Sequence, residues 1–173
     1  MAALLSATAS AANQQYHLSY TSSSLYGGSP WVVEADFTGQ SEGDLIRQLQ
    51  FSSLKIGGTS INSIDSAVPM YGDFGEAILS FSGKSNDFWL YGRQGAGVSA
   101  SLRSYTAEAG REPDQLNAVL YFANGDGSTD EVGLSDFNLN ASWTVTAVPE
   151  PETYTMLLLG LGTIILRGRR GKK

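Results

Sequence analysis

In Ser142-Trp143-Thr144-Val145-Thr146, and in Ala77-Ile78-Leu79-Ser80-Phe81-Ser82, apolar side chains recur at every second position. That period belongs to a β-strand, whose successive Cβ atoms leave opposite faces, so each stretch is expected to line one buried face. Outward from these two, residues 12–147 repeat the pattern of short β-branched or aromatic runs closed by Gly, Ser, Asn or Asp. The runs are Gln15–Tyr20, Trp31–Thr38, Leu45–Leu54, Ser60–Ile64, Ala77–Ser82, Asp87–Arg93, Val98–Tyr105, Asn117–Ala123, Glu131–Leu139 and Ala141–Val148. Leu45-Ile46-Arg47-Gln48-Leu49-Gln50 also permits a helical turn, because 45, 46 and 49 fall at helical spacing and Asp44 can cap it. It is read as strand.

Asn124-Gly125-Asp126-Gly127 and Gly57-Gly58 supply the positive φ angles that tight connections demand. No helical pattern of ten or more residues interrupts the body. The expected class is therefore all-β, a two-sheet antiparallel β-sandwich or a jelly roll. The polar, unpatterned stretch 107–114 is expected to be a mobile loop.

The chain has 173 residues, enough for one domain with short terminal extensions. Hydrophobic residues at 42% can build a core, while 20 glycines favour turn-rich structure. The absence of Cys excludes disulfides, thiolate metal sites and cysteine nucleophiles, and a single His leaves little room for a multi-His centre. No cofactor or metal is expected. Residues 12–147 carry 15 acidic and 6 basic side chains, whereas 148–173 carry 2 and 5. An acidic body suits nucleic acid poorly, since phosphates need Lys and Arg to displace counterions.

Val148-Pro149-Glu150-Pro151-Glu152-Thr153 ends the strand pattern, because two prolines lack N–H donors and bias their predecessors to extended backbone. After this linker (148–153), residues 154–173 open with a 13-residue uncharged run from Tyr154 to Leu166. It is built on Leu157, Leu158, Leu159, Leu161, Ile164, Ile165 and Leu166. Arg167, Arg169, Arg170, Lys172 and Lys173 follow as a positive stop. A helix of that length spans roughly 20 Å against a hydrocarbon core of about 30 Å, extended by Tyr154 and a snorkelling Arg167. The run is read as a short transmembrane helix with a cytoplasmic C-terminus, which puts residues 12–147 on the far side of the membrane.

Val148-Pro149-Glu150-Pro151, the Leu/Gly-rich run containing Gly160-Leu161-Gly162 and the basic end together resemble the C-terminal sorting signal of bacterial PEP-CTERM proteins. The resemblance covers about a seventh of the chain. It implies recognition near Pro-Glu-Pro by exosortase, a membrane processing enzyme, removal of the tail, and transfer of the body to the cell surface or beyond. It further implies a Gram-negative host that makes exopolysaccharide or biofilm. Independently of the family, Pro149 and Pro151 keep the backbone extended and open to binding as an added strand, and Glu150 offers the one distinctive charge. At the other end, Ala9-Ser10-Ala11 fits an A-x-A cleavage site, so residues 1–11 are expected to be a signal-peptide remnant.

The body offers little chemistry. His17, the one possible base, has no G-x-S-x-G elbow to serve. Glu34 and Asp36 share a strand face beside Trp31, the arrangement a glycosidase would need in part, although a solvated strand edge is the ordinary reading of such a pair. Asn124–Glu131 carries oxygens at alternate positions but has Thr129 and Ser135 where a calcium loop wants Gly and Glu. It is read as a hairpin turn. Trp31, Trp89 and Tyr91 are the candidate carbohydrate contacts, with core packing as their ordinary use. Two functions follow: a non-enzymatic envelope or matrix protein associated with exopolysaccharide, or an exported hydrolase acting on it.

Overall fold

The computed structural model describes residues 13–26, 29–71, 75–105, 115–136 and 142–149. These form eleven strands and no helix: β1 (Gln14–Tyr26), β2 (Ser29–Glu42), β3 (Leu45–Ile56), β4 (Thr59–Ile61), β5 (Ser63–Ile64), β6 (Leu79–Ser80), β7 (Asp87–Gln94), β8 (Val98–Tyr105), β9 (Gln115–Ala123), β10 (Thr129–Asp136) and β11 (Trp143–Ala147). The all-β expectation holds, and every pairing is antiparallel. The N-terminal leader, the loop at 107–114 and the apolar run 154–166 lie outside the described residues.

One sheet runs β11-β1-β2-β3-β4 with β6 added to β3; the other runs β10-β9-β8-β7-β5. Each is mainly a meander of consecutive hairpins. This differs from a jelly roll, whose chain alternates between sheets, because the short turns at Gly43, Gly57-Gly58, Gly95 and Gly127 return the chain beside the strand it left. Crossings are confined to β5, β6 and β11, and the last strand closes the first sheet by pairing Trp143 with Tyr20.

The two sheets enclose a single apolar cluster. Tyr16, Leu18 and Tyr20 of β1 meet Val33, Ala35 and Phe37 of β2, and these face Phe88, Leu90, Ala100, Leu102, Leu116, Ala118 and Leu120 of the second sheet. A relay of rings bridges the layers: Tyr16 to Phe37 at 5.4 Å, Phe37 to Phe51 at 5.1 Å, and Phe51 to Phe88 at 5.9 Å between centroids. Burying such side chains contributes about 2 kcal/mol each, so this seam is the main source of stability. Gly92 lets the layers close, since a Cβ there would stand 2.5 Å from Ile61 Cγ2 and 2.9 Å from the Ser63 carbonyl oxygen.

One stretch departs from its sequence reading for an identifiable reason. Ser142–Thr146 alternates as expected, with Trp143 buried and Thr144 exposed. In Ala77–Ser82 only Leu79 and Ser80 form a strand, and Ile78, Leu79 and Ser80 are all buried. Here the chain passes between the sheets: Ile78 bridges Asp87 on one side while Leu79 pairs with Ile46 on the other, so neither face meets water. Buried Asn86 then ends the strand, accepting from the Ser80 N–H at 2.8 Å and donating to Ser104 Oγ at 3.1 Å.

Leu45–Gln50 is strand, and its helix-like spacing has a cause. Gln48 has φ 54°, and the β2–β3 register slips between Thr38 and Gln40, marking a bulge. One extra residue shifts the parity, so Ile46 and Leu49 both face inward at a separation of three.

Candidate functional site

The outer face of the first sheet gathers the polar residues that the sequence singled out. Because core-facing positions on β1 and β2 are even- and odd-numbered respectively, His17, Glu34 and Asp36 point outward, and β3 adds Ser53 and Lys55. His17, Asp36 and Ser53 occupy one cross-strand row, and Glu34 faces Lys55 in the next. They floor an open depression of about 420 Å³ that also touches Ser60 and Asn62. Glu34 and Asp36 sit on a central strand flanked by β1 and β3, which replaces the expected strand edge.

The geometry assigns the hydrogen bonds. His17 Nδ1 lies 2.7 Å from Asp36 Oδ1, and Ser53 Oγ donates to Asp36 Oδ2 at 2.7 Å. Asp36 N–H returns a bond to Ser53 Oγ at 3.0 Å. Lys55 Nζ donates to Glu34 Oε2 at 3.2 Å. The His17 contact first, and the Ser53 hydroxyl second, hold the Asp36 carboxyl below the ordinary aspartate range against the effect of its partial burial. Asp36 is accordingly an ionised acceptor at neutral pH.

This row is a poor chemical machine. A serine nucleophile needs its base within hydrogen-bond reach, yet Ser53 bonds the carboxylate and not the imidazole. A glycosidase acid needs a raised pKa and a partner across the substrate, whereas Asp36 is shifted down and Glu34 stands beside it on the same flat face. What the arrangement does well is tie β1, β2 and β3 in register through charge-assisted bonds.

The three aromatic candidates separate. Trp31 lies in the first sheet, half-buried against Gly57, its backbone N–H donating to Ser22 Oγ at 2.9 Å. It borders a second hollow of about 480 Å³ with Val32, Glu34 and Lys55. Trp89 and Tyr91 stand together on the outer face of the second sheet. Trp89 is 46% exposed, and its Nε1 donates to Ser101 Oγ at 2.9 Å. Core packing, the ordinary use of these rings, falls instead to their neighbours Phe88 and Leu90. Arg93, Arg103 and Tyr121 join the same face and were not singled out from the sequence, although the period of two that separates Trp89, Tyr91 and Arg93 from the core was there to be read.

Asn124–Ser128 closes the β9–β10 hairpin. Asp126 Oδ1 accepts from both the N–H and the hydroxyl of Ser128, at 2.9 and 2.6 Å, and these bonds lower its pKa. Its oxygens thus serve the turn. Among the described residues no cluster of His, Asp or Glu is placed to hold a metal ion, and no helix is long and apolar enough to cross a membrane.

The last described residues bring the fold to the sorting stretch. Val148 N–H donates to the Gln15 carbonyl oxygen at 2.8 Å, and Pro149 beyond it is exposed. An antiparallel two-sheet body thus runs, without a spacer, into the Pro-Glu-Pro tripeptide. The family model of the PEP-CTERM protein-sorting motif matches residues 147–173. That motif marks an exported protein handled by exosortase, a membrane enzyme. No curated protein and no solved structure matches the chain.

Proposed function

We propose that this chain is a non-enzymatic envelope or matrix protein, anchored transiently in the inner membrane with its C-terminus in the cytoplasm, cleaved by exosortase, and delivered outward to associate with exopolysaccharide. The observation that carries the reading is the sorting motif at 147–173 set directly behind a folded β body. Five cations after the apolar run support the orientation. The depressed pKa of Asp36 and the binding of Ser53 to Asp36 weigh against the hydrolase alternative.

Two variants test it by separating recognition from retention. Pro149→Ala with Pro151→Ala leaves the apolar run and cations intact but removes the donor-poor, extended backbone. The uncleaved form should accumulate in the inner membrane. Deleting 155–173 removes the membrane contacts, so the body should escape unprocessed as a soluble species. Fractionation with size analysis in an exosortase-bearing host reads both; normal maturation of the double-Ala variant would reduce the tripeptide to a linker and sink the proposal.

A further inference from the structure

The outer face of the second sheet lies apart from the polar row of the first sheet. On β7 the alternation that sends Phe88, Leu90 and Gly92 inward sends Trp89, Tyr91 and Arg93 outward. β8 sets Arg103 opposite Trp89, Ser101 opposite Tyr91 and Ser99 opposite Arg93, and β9 sets Tyr121 opposite Ser99. The Arg93 guanidinium stands 5.7 Å from the centre of the Tyr91 ring. Two acidic groups stand at its margins: Glu131, opposite Tyr121, and exposed Asp65, whose N–H donates to the Tyr91 carbonyl oxygen at 2.8 Å.

Two independent features mark this face. Among the described residues four large hydrophobics are exposed, and three of them, Val68, Tyr71 and Trp89, gather at its β7 side. Val68 is bridged to Trp89, and Tyr71 packs edge-on against Tyr105 at 5.0 Å. Contiguous exposed apolar area of this kind marks a binding surface. The second feature is charge. In an acidic body, Arg47 and Lys55 are held in ion pairs, whereas Lys84, Arg93 and Arg103 form none among the described residues, and the two arginines stand here.

We infer that this face binds an acidic polysaccharide, a uronate-bearing chain laid across β7 to β9. Trp89 and Tyr91 present rings on which the C–H faces of pyranoses stack, and Arg93 and Arg103 match carboxylates in a planar, two-bond geometry. Trp89 to Arg93 spans about 13 Å at the rise of a strand, which suits a polymer better than a single sugar. A protein partner would favour a centre depleted of serine, but Ser99 and Ser101 occupy the middle of this surface. The inference rests on the proposed reading that the body is delivered outside the cell, where such polymers lie.

Calorimetric titration of the purified full chain with sodium alginate, and with dextran as the neutral control, tests it. Alginate should bind at least about tenfold tighter than dextran, and its binding should weaken as salt is raised. Trp89→Ala should weaken alginate binding about tenfold, with Trp89→Phe restoring most of it. Arg93→Gln with Arg103→Gln changes only exposed side chains and should remove the preference for alginate over dextran, while Lys84→Gln changes nothing. Equal binding of both polymers by the wild type, or alginate binding indifferent to both the Trp89 and the arginine variants, overturns the inference. So does self-association that Trp89→Ala abolishes, which would assign the face to a second copy. A chain that binds alginate but is never processed refutes the sorting proposal alone; one that is processed and ignores alginate refutes this inference alone.

Discussion

Asp36 carries more of the first sheet than its neighbours because it accepts from two strands at once, His17 on β1 and Ser53 on β3. Its lowered pKa has a definite sign. A carboxyl that is more acidic folded than unfolded contributes stability above the unfolded value, about 3.9, and loses it as pH falls below that value toward the folded one. Asp36→Asn keeps the shape but removes the charge. It should cost about 1 kcal/mol near neutrality, the low end for bonds to a charged group because the site is half-exposed. It should also flatten the loss of stability below about pH 4. Urea melts of both proteins between neutral and acidic pH check this; parallel curves would mean that Asp36 has no linkage to folding. The sequence exposed the residue but not its partners, since pairing across strands depends on register, and register follows from turns and bulges that single residues do not announce.

At the scale of an element, β3 shows why local periodicity misleads. Ile46 and Leu49 are three apart, like helix neighbours, but both face the core because Gln48 adopts a left-handed backbone inside a bulge. A positive φ strains a side-chain-bearing residue and suits glycine. Gln48→Gly should therefore be neutral or stabilise by up to about 1 kcal/mol, while Gln48→Val should destabilise by about 1–2 kcal/mol through its β-branch. Thermal melts of the pair decide it, and equal losses for Gly and Val would remove the bulge as the explanation. β6 fails for a different reason. A crossing between layers buries successive residues, so Ile78, Leu79 and Ser80 obey no period, whereas β7 and β11, each covered on one face, kept theirs and were legible from the start.

Across the whole molecule, the boundary between body and sorting signal has no slack. Among the described residues the last backbone bond joins Val148 to Gln15, and the residue after it is the first proline of the tripeptide. An enzyme that takes Pro149–Pro151 as an added strand must bring its own edge alongside that backbone, and β11, an edge strand, stands next to it. The bulk of two stacked sheets then crowds the approach. Inserting Gly-Ser-Gly-Ser between Val148 and Pro149 leaves every described hydrogen bond in place and moves the body away by up to about 13 Å. The melting temperature should stay the same, and the mature form should appear several-fold faster in a pulse–chase in an exosortase-bearing host. Unchanged or slower maturation would show instead that the enzyme reads the β11 edge and tripeptide as one continuous surface, in which case Val148→Pro, which deletes the bond to Gln15, should slow cleavage as well.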